Sequence, residues 1–489
     1  MEEQLPNWLK KRADITPARP AIEFEGITYS FKELNHMVEE MAGKLAAKGA
    51  ERGNTCAILV RNHLDSVVMI HALFYIGVRI VMLNHKLTAN ELAWQIQDSQ
   101  ASILFSESYF TDTLKGIERE VSTVSVYIKE ELVESVCPQV MADFYLEDTA
   151  TIMYTSGTTG KPKGVMQTFG NHWWSAVGSA LNLGLHEKDS WYCAVPIFHI
   201  SGLSILMRSV IYGMKVVLVE KFDEEEANWH LRENGVTIIS VVTSMLNRML
   251  LNLGERNYPS SFRCMLLGGG PAPLSLLERC KEKDIPVFQT YGMTETASQI
   301  VTLTPEYSME KIGSAGKALF PSQIRIEANG KQAKPNEAGE IVVFGPNVTK
   351  GYFNRVDATE QAIKAGWLYT GDIGYLDDEG FLYVLDRRSD LIISGGENVY
   401  PAEIESVLSA HPAVFEAGVT GVADEKWGQV PLAFVVLTEE VTEQQLLAYC
   451  REHLASYKMP REIVFCDHLP RNGANKLLRR KLKKEDGRG

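Results

Sequence analysis

Along the first hundred residues, short runs of β-branched and aromatic residues alternate with longer stretches whose apolar positions recur every three to four residues. Ser30-Phe-Lys-Glu33 has the spacing of a capping box, in which a hydroxyl and a carboxylate satisfy each other's backbone amides, and the helix it opens is closed by Gly49. A strand is predicted over residues 56–60, and Thr88-Ala-Asn-Glu91 is a second box. The most apolar stretch, residues 64–83, contains Asp65, His71 and Arg79, so it predicts a helix followed by a strand and not a membrane span. Such alternation predicts a parallel sheet with helical crossovers. Residues 107–150 are acidic and lack a clear period, which predicts irregular connecting structure.

The alternation resumes with β-rich runs at 191–195, 215–220, 237–242, 264–267 and 286–291, predicting a second doubly wound unit. Ligands of such sheets bind beyond the carboxyl ends of the strands. Over residues 316–384 the helical period disappears and turn signals multiply, as in Ala328-Asn-Gly330 and Asp377-Asp-Glu-Gly380, which predicts a smaller β-rich subdomain. A final α+β unit runs from about Asp390. The fold class is therefore α/β, with a large N-terminal lobe of two doubly wound sheets plus a β-rich subdomain and a small C-terminal α+β lobe.

A length of 489 residues exceeds one typical core. Hydrophobic residues at 45% and charged residues at 23% exclude wholesale disorder. A formal net charge of −13 argues against a nucleic-acid partner, because the basic tail over 471–484 is local. The seven cysteines are scattered, odd in number and free of Cys-x-x-Cys spacing, so neither a disulfide frame nor a zinc site is expected. The acidic start Met-Glu-Glu-Gln lacks the pattern of a secretory signal. Together these features predict a cytoplasmic protein with no membrane span.

The strongest chemical signal is Thr155-Ser-Gly-Thr-Thr-Gly-Lys-Pro-Lys-Gly-Val165, which follows the apolar run Thr151-Ile-Met-Tyr154. Gly157 and Gly160 let the backbone bend towards an anion, while the hydroxyls of Thr155, Ser156, Thr158 and Thr159 and the ammonium groups of Lys161 and Lys163 can donate to phosphate oxygens. Only two residues separate the glycines and Pro162 follows Lys161, so this is not the common NTPase loop. The plain alternative is a solvated hairpin. Further on, Gly268-Gly-Gly270-Pro271 would let a flat ligand lie against bare backbone. In Gln289-Thr290-Tyr291-Gly-Met-Thr294-Glu295-Thr296 there is an aromatic face for a purine, a hydroxyl for phosphate, and in Glu295 a hard oxygen ligand for Mg²⁺; a carboxylate at a helix N-terminus is the plainer account of Glu295. Tyr369-Thr-Gly-Asp-Ile-Gly374 places Asp372 in a tight turn, where it could accept both hydroxyls of a ribose. In Ser201-Gly-Leu-Ser-Ile-Leu-Met-Arg-Ser-Val-Ile-Tyr212, Arg208 is the only charge on a broad apolar surface. Its partner is either a protein carboxylate or solvent, or a second carboxylate on the substrate.

These stretches, in this order and over nearly the whole chain, resemble the adenylate-forming superfamily of acyl-CoA synthetases, luciferases and peptide-synthetase adenylation domains. The resemblance implies a small-molecule carboxylic acid, ATP and CoA as substrates, with Mg²⁺ as cofactor, in two steps through an acyl-adenylate. It places Thr155, Ser156, Gly157, Thr158, Thr159, Lys163, Gly270, Pro271, Gln289, Thr290, Tyr291, Thr294, Asp372 and Arg387 at ATP or AMP, with Arg387 on the ribose. It makes Lys476 in Leu469-Pro-Arg-Asn-Gly-Ala-Asn-Lys476 the catalytic lysine, although Ala474-Asn475 stands where the family more often has Ser-Gly. Ser389 takes the hinge position, where the family usually has Asp or Lys; this divides the chain into residues 1–388 and 389–489. Gly395 and Gly396 would line the tunnel for the pantetheine arm of CoA, and His199 would sit beside the acyl group with Arg208 and Ser298.

Within the superfamily, Pro196-Ile-Phe-His-Ile-Ser-Gly-Leu203, Met207-Arg208, Leu267-Gly-Gly-Gly-Pro-Ala-Pro273 and Thr294-Glu-Thr-Ala-Ser-Gln299 are most similar to the branch of CoA ligases that acts on 2-succinylbenzoate, an aromatic dicarboxylate, in menaquinone synthesis. A CoA ligase for another aromatic or fatty acid, a luciferase-like oxygenase and a peptide-synthetase adenylation domain share the nucleotide motifs. A non-catalytic AMP-binding module would lack Glu295 or Lys476, and both are present. The reading allows a homo-oligomer.

Overall fold

The computed structural model describes residues 3–155, 162–269, 272–387, 390–394, 397–424, 427–454, 456–471 and 477–483, without the side chains of Arg387, Ile393, Glu397 and Asn398. Both predicted capping boxes form. Ser30 Oγ accepts from the Glu33 amide at 3.2 Å while the Glu33 carboxylate accepts from the Ser30 amide at 2.8 Å, opening the helix Phe31–Ala47; Thr88 and Glu91 do the same for Ala89–Asp98. The stretch at 64–83 divides as expected into the helix Leu64–Ile76 and the strand Arg79–Met82. Gly77, at φ 83°, ends that helix in the left-handed conformation a side chain would resist. Every residue of the helix except Asp65 is buried, which is why its apolar residues show no single face.

Among the described residues, the first sheet has six strands in the order Lys163–Thr168, Thr149–Thr155, Arg79–Met82, Thr55–Leu59, Ile103–Ser106 and Ser125–Ile128. All neighbours are parallel except the first pair, which is antiparallel and whose two strands flank the glycine- and threonine-rich stretch in sequence. The expectation of irregular structure over 107–150 is corrected here. This stretch holds the helix Thr111–Glu120 and the edge strand Ser125–Ile128, whose amphipathic pattern is too short to stand out from its acidic surroundings.

In the second sheet a parallel core is formed by Pro20–Phe24, Lys215–Leu218, Ser190–Cys193, Ile238–Val242, Cys264–Gly268 and Val287–Met293. The strand Pro20–Phe24 thus crosses over to a sheet whose other members lie far along the chain, a pairing that local pattern does not encode. The β-rich subdomain is hydrogen-bonded to the same sheet, through Ser298–Leu303, Ser314–Ala318 and Leu382–Arg387 in turn. The C-terminal lobe has its own sheet, built on the long hairpin of Val414–Asp424 and Gly428–Leu437, with a main core drawn from residues 392–463 and a smaller cluster that adds Leu469 and Leu482. Among the described residues no helix is long and apolar enough to cross a membrane.

Candidate active site

The predicted phosphate loop springs from the first sheet's hairpin, with Thr155 and Lys163 facing each other at its mouth. Ser156, Gly157, Thr158 and Thr159 lie outside the described residues. Glu295 reaches the same mouth from the second sheet. It sits in the short 3₁₀ turn Thr294–Thr296, directly after the strand Val287–Met293 that carries Gln289, Thr290 and Tyr291. Tyr352 joins the two sides. Its backbone bridges to Val165, its hydroxyl donates to Glu295 Oε1 at 3.2 Å, and Lys163 Nζ lies 5.1 Å from its ring centroid. The Glu295 carbonyl is itself held by the Thr349 amide at 2.7 Å. Sequence reading missed Tyr352, because it lies 57 residues from Glu295 and nothing in its local spacing marks it.

Around this mouth, Thr290 donates its hydroxyl to the Leu267 carbonyl at 3.2 Å, tying its strand to the end of Cys264–Gly268. A Cβ on Gly268 would lie 3.1 Å from the Thr290 hydroxyl, and Gly269 has φ +90°, so the chain turns there with little side-chain bulk. Gly270 and Pro271 are outside the described residues. Tyr291 donates to Asp372 Oδ2 at 2.8 Å, which brings the predicted purine and ribose residues together.

The tight turn expected at Asp372 is corrected. Asp372 is 6% exposed within the ten-residue strand Trp367–Leu376, opposite Arg387. The turn-like spelling reflects a bulge: Gly371 has φ 74°, and the pairing with Gly339–Phe344 shifts register beside it.

The residues expected beside the acid are organised by the helix Ile200–Tyr212, which begins just after His199. His199 is half-buried, with its ring centroid 4.5 Å from that of Phe198. Arg208 is 1% exposed. Its guanidinium lies 5.3 Å from the centroid of Trp191, donates to Ser298 Oγ at 3.3 Å and also meets the Tyr212 hydroxyl, but no carboxylate of the described residues faces it, and its Nε has no hydrogen-bond partner. Burial lowers its pKa, with Tyr212 and Cys264 acting weakly the other way. Trp191 in turn donates its indole N–H to Ser240 at 3.0 Å. The helix end is pinned by Arg12, whose Nε donates to the Val210 carbonyl at 3.0 Å. Trp191, Ser240 and Arg12 were not singled out in the sequence, since each reads locally as an ordinary strand or helix residue.

Ser298 and its neighbour Ala297 have φ of 109° and 50°, two consecutive non-glycine residues in the left-handed region. They turn the chain back from Glu295 into the strand Ser298–Leu303, so one short segment carries residues expected at both the nucleotide and the acid.

Ser389, Gly395, Gly396 and Lys476 lie outside the described residues, as does the side chain of Arg387. The residues flanking them are informative. Arg471 and Leu477 form an antiparallel bridge that closes the base of the segment carrying Lys476. Arg479 donates through Nε and another guanidinium nitrogen to Glu405 at 2.7 and 2.6 Å, and it ion-pairs with Asp386 and Asp390, which stand on either side of the predicted hinge.

Comparison with known proteins bears on the whole of this arrangement. The AMP-binding enzyme family matches residues 9–353, and the AMP-binding enzyme C-terminal domain matches residues 403–476. The chain is 59% identical to the 2-succinylbenzoate–CoA ligase of Geobacillus kaustophilus, covering 98% of each chain. It superposes with a TM-score of 0.93 on o-succinylbenzoate CoA synthetase from Bacillus subtilis in complex with the acyl-adenylate intermediate, at 54% identity and covering 99% of both chains. The complex of that synthetase with ATP and magnesium ion gives the same TM-score at 53% identity, covering 99% of this chain and 100% of the other. With both lobes matched and nearly the full length of each relative covered, the chain belongs to the AMP-binding enzyme family of adenylate-forming ligases.

Proposed function

We propose that the protein is an acid–thiol ligase that converts 2-succinylbenzoate, ATP and CoA to 2-succinylbenzoyl-CoA, AMP and diphosphate in menaquinone biosynthesis. In the first step a carboxylate oxygen of the acid attacks the α-phosphorus of ATP and diphosphate leaves. The loop from Thr155 to Lys163 holds the phosphates, the segment Gly268–Pro271 and Tyr291 receive the purine, and Asp372 with Arg387 holds the ribose. Lys476 sets an ammonium beside the reacting oxygens, where charge accumulates in the transition state. In the second step the CoA thiol attacks the acyl carbon and AMP leaves; the small lobe turns about Ser389, withdrawing Lys476 and bringing Gly395 and Gly396 to the pantetheine arm.

The residues fit Mg²⁺ bound together with ATP. Glu295 is half-buried beside the loop mouth, and no group of three or more His, Cys, Asp or Glu side chains is poised to hold a metal among the described residues. Mg²⁺ commonly takes one or two carboxylates and completes its shell with phosphate oxygens and water, and when bound it neutralises the polyphosphate charge.

The observation that carries the choice of acid is Arg208, a buried guanidinium that no carboxylate of the described residues faces. Leaving a buried charge without an opposite charge is costly. A substrate with two carboxylates, one activated and one recognised, supplies the missing partner. All seven cysteines are free thiols, which supports a reducing, cytoplasmic setting. A homo-oligomer is compatible with this chemistry.

An ATP–pyrophosphate exchange screen over 2-succinylbenzoate, benzoate and fatty acids tests the reading. 2-Succinylbenzoate should drive exchange far faster than acids with a single carboxylate. Equal exchange with benzoate or a fatty acid would overturn it.

A further inference from the structure

Behind the mouth of the site runs a chain of buried polar side chains that the reaction as described does not use. Thr151 on the strand Thr149–Thr155, Gln167 on the strand Lys163–Thr168 and His172 on the helix Phe169–Leu183 are 0%, 1% and 2% exposed. Gln167 Nε2 donates to the carbonyl of Thr294 at 2.8 Å. A carbonyl can only accept, so the amide is oriented with Oε1 towards Thr151, whose hydroxyl donates to it at 2.8 Å. That hydroxyl has a single proton, already committed, so the contact of 3.1 Å between Thr151 Oγ1 and His172 Nε2 is one in which the imidazole N–H donates. The bonds therefore all point one way, from His172 through Thr151 and Gln167 to the peptide that joins Thr294 to Glu295.

This chain has no counterpart in the needs of the core. Three apolar residues of similar shape would fill the space, and exchanging matched buried hydrogen-bond partners for apolar groups is often nearly neutral for stability. What apolar groups could not do is fix the rotation of one peptide plane. The Thr294 carbonyl is held from the phosphate-loop hairpin, and the next carbonyl, that of Glu295, is held by the Thr349 amide. Two consecutive peptide planes are thereby set, and with them the direction in which the Glu295 side chain leaves the backbone. Burial lowers the His172 pKa to about 4, with Arg208 adding in the same direction, so the imidazole is neutral near pH 7 and its donor stays in place.

We infer that Gln167, oriented by Thr151 and His172, is the positioning residue for Glu295, and that it makes the affinity for Mg²⁺ depend on the register of the phosphate-loop hairpin. This rests on the proposed role of Glu295 as the metal carboxylate. Residues that orient a metal ligand commonly change metal affinity by about ten-fold or more when replaced.

The test is calorimetric titration of ATP binding without acid, at a series of Mg²⁺ concentrations, in the parent, Gln167→Met, Thr151→Val and Glu295→Gln. Gln167→Met and Thr151→Val should each raise the Mg²⁺ concentration for half-maximal enhancement of ATP binding by about ten-fold. ATP binding in the absence of Mg²⁺ should stay at the parental affinity, which loosened packing alone would not spare. If both variants keep the parental Mg²⁺ requirement while Glu295→Gln raises it, the positioning inference is wrong and the metal reading stands. If Glu295→Gln also keeps the parental requirement, both are overturned. Should Gln167→Met fail to fold, the nearly isosteric Thr151→Val decides between the same outcomes.

Discussion

At the proposed nucleotide end of the site, Thr155, Lys163, Tyr352 and Glu295 are half-buried and gathered around a hairpin mouth, whereas at the proposed acid end Arg208 is 1% exposed on the helix Ile200–Tyr212 and rests against Trp191. Of the groups proposed for the nucleotide, Thr155, Lys163 and Glu295 come from compact stretches of sequence rich in donors and glycines, as a polyphosphate that needs many donors at short range would require, whereas Tyr352 stands outside them. The groups proposed for the acid are single residues, Arg208 and Ser298, supported by Trp191 and Ser240, each on a different element. On the proposed reading, a ligand shared by many enzymes is met by several compact motifs and a particular acid by single residues dispersed along the chain. The two ends should therefore respond separately to substitution, with charge removal at the nucleotide end affecting the first chemical step and changes at the acid end affecting substrate affinity.

The sharpest break between steps is expected at Lys476. Lys476→Ala should lose adenylation by orders of magnitude, while conversion of supplied acyl-adenylate and CoA to thioester survives, because on the proposed reading the lysine is withdrawn by then. Single-turnover measurement of each half-reaction checks this, and equal losses in both would end the two-conformation account. A somewhat smaller loss is expected for Glu295→Gln, which preserves shape but removes the charge proposed to hold Mg²⁺. Adenylation should fall sharply while binding of preformed acyl-adenylate is retained; a parental adenylation rate would reduce Glu295 to a structural role.

Much of the nucleotide end is legible in the sequence because its donors are neighbours there. Even so, Tyr352 and Gln167 escape, since their connections to Glu295 and Thr294 span long separations. The setting of Asp372 differs from its spelling: Gly371 signals a turn, and only the pairing of Trp367–Leu376 with strands on both sides shows that it makes a bulge. The fold divides in the same way. The capping boxes and the strands of the second sheet follow from local pattern, but the assignment of Pro20–Phe24 to that sheet is a long-range pairing. At the acid end Arg208 could be found as an isolated charge on an apolar helix, whereas Trp191 and Ser240 acquire meaning only from the packing around it.

Arg208 tests the acid end on its own. Arg208→Ala should raise the KM for 2-succinylbenzoate by roughly ten to several hundred fold, from about 1.5–3 kcal/mol for a hydrogen bond to a charged group, with ATP binding little changed. Arg208→Lys should recover part of this, because an ammonium keeps the charge and loses the planar fork. If Arg208→Ala lowers Tm and leaves the KM for the acid alone, the guanidinium is structural and the dicarboxylate assignment loses its physical support.

The smallest effect, and the one that best separates affinity from stability, is expected at Ser298. Its hydroxyl receives the Arg208 guanidinium at 3.3 Å, a long contact, so its loss should raise the KM for the acid by only about five-fold, equivalent to about 1 kcal/mol. The backbone adds a second consequence. At φ 109° a side chain is strained and glycine is not, a difference on the order of 1 kcal/mol or more. Ser298→Ala and Ser298→Gly remove the same hydroxyl, so they should share one KM. They should differ in Tm, with the glycine variant the more stable because it relieves the strained conformation. Different KM values for the two would mean that the backbone geometry itself, and not the hydroxyl, sets how Arg208 meets the acid.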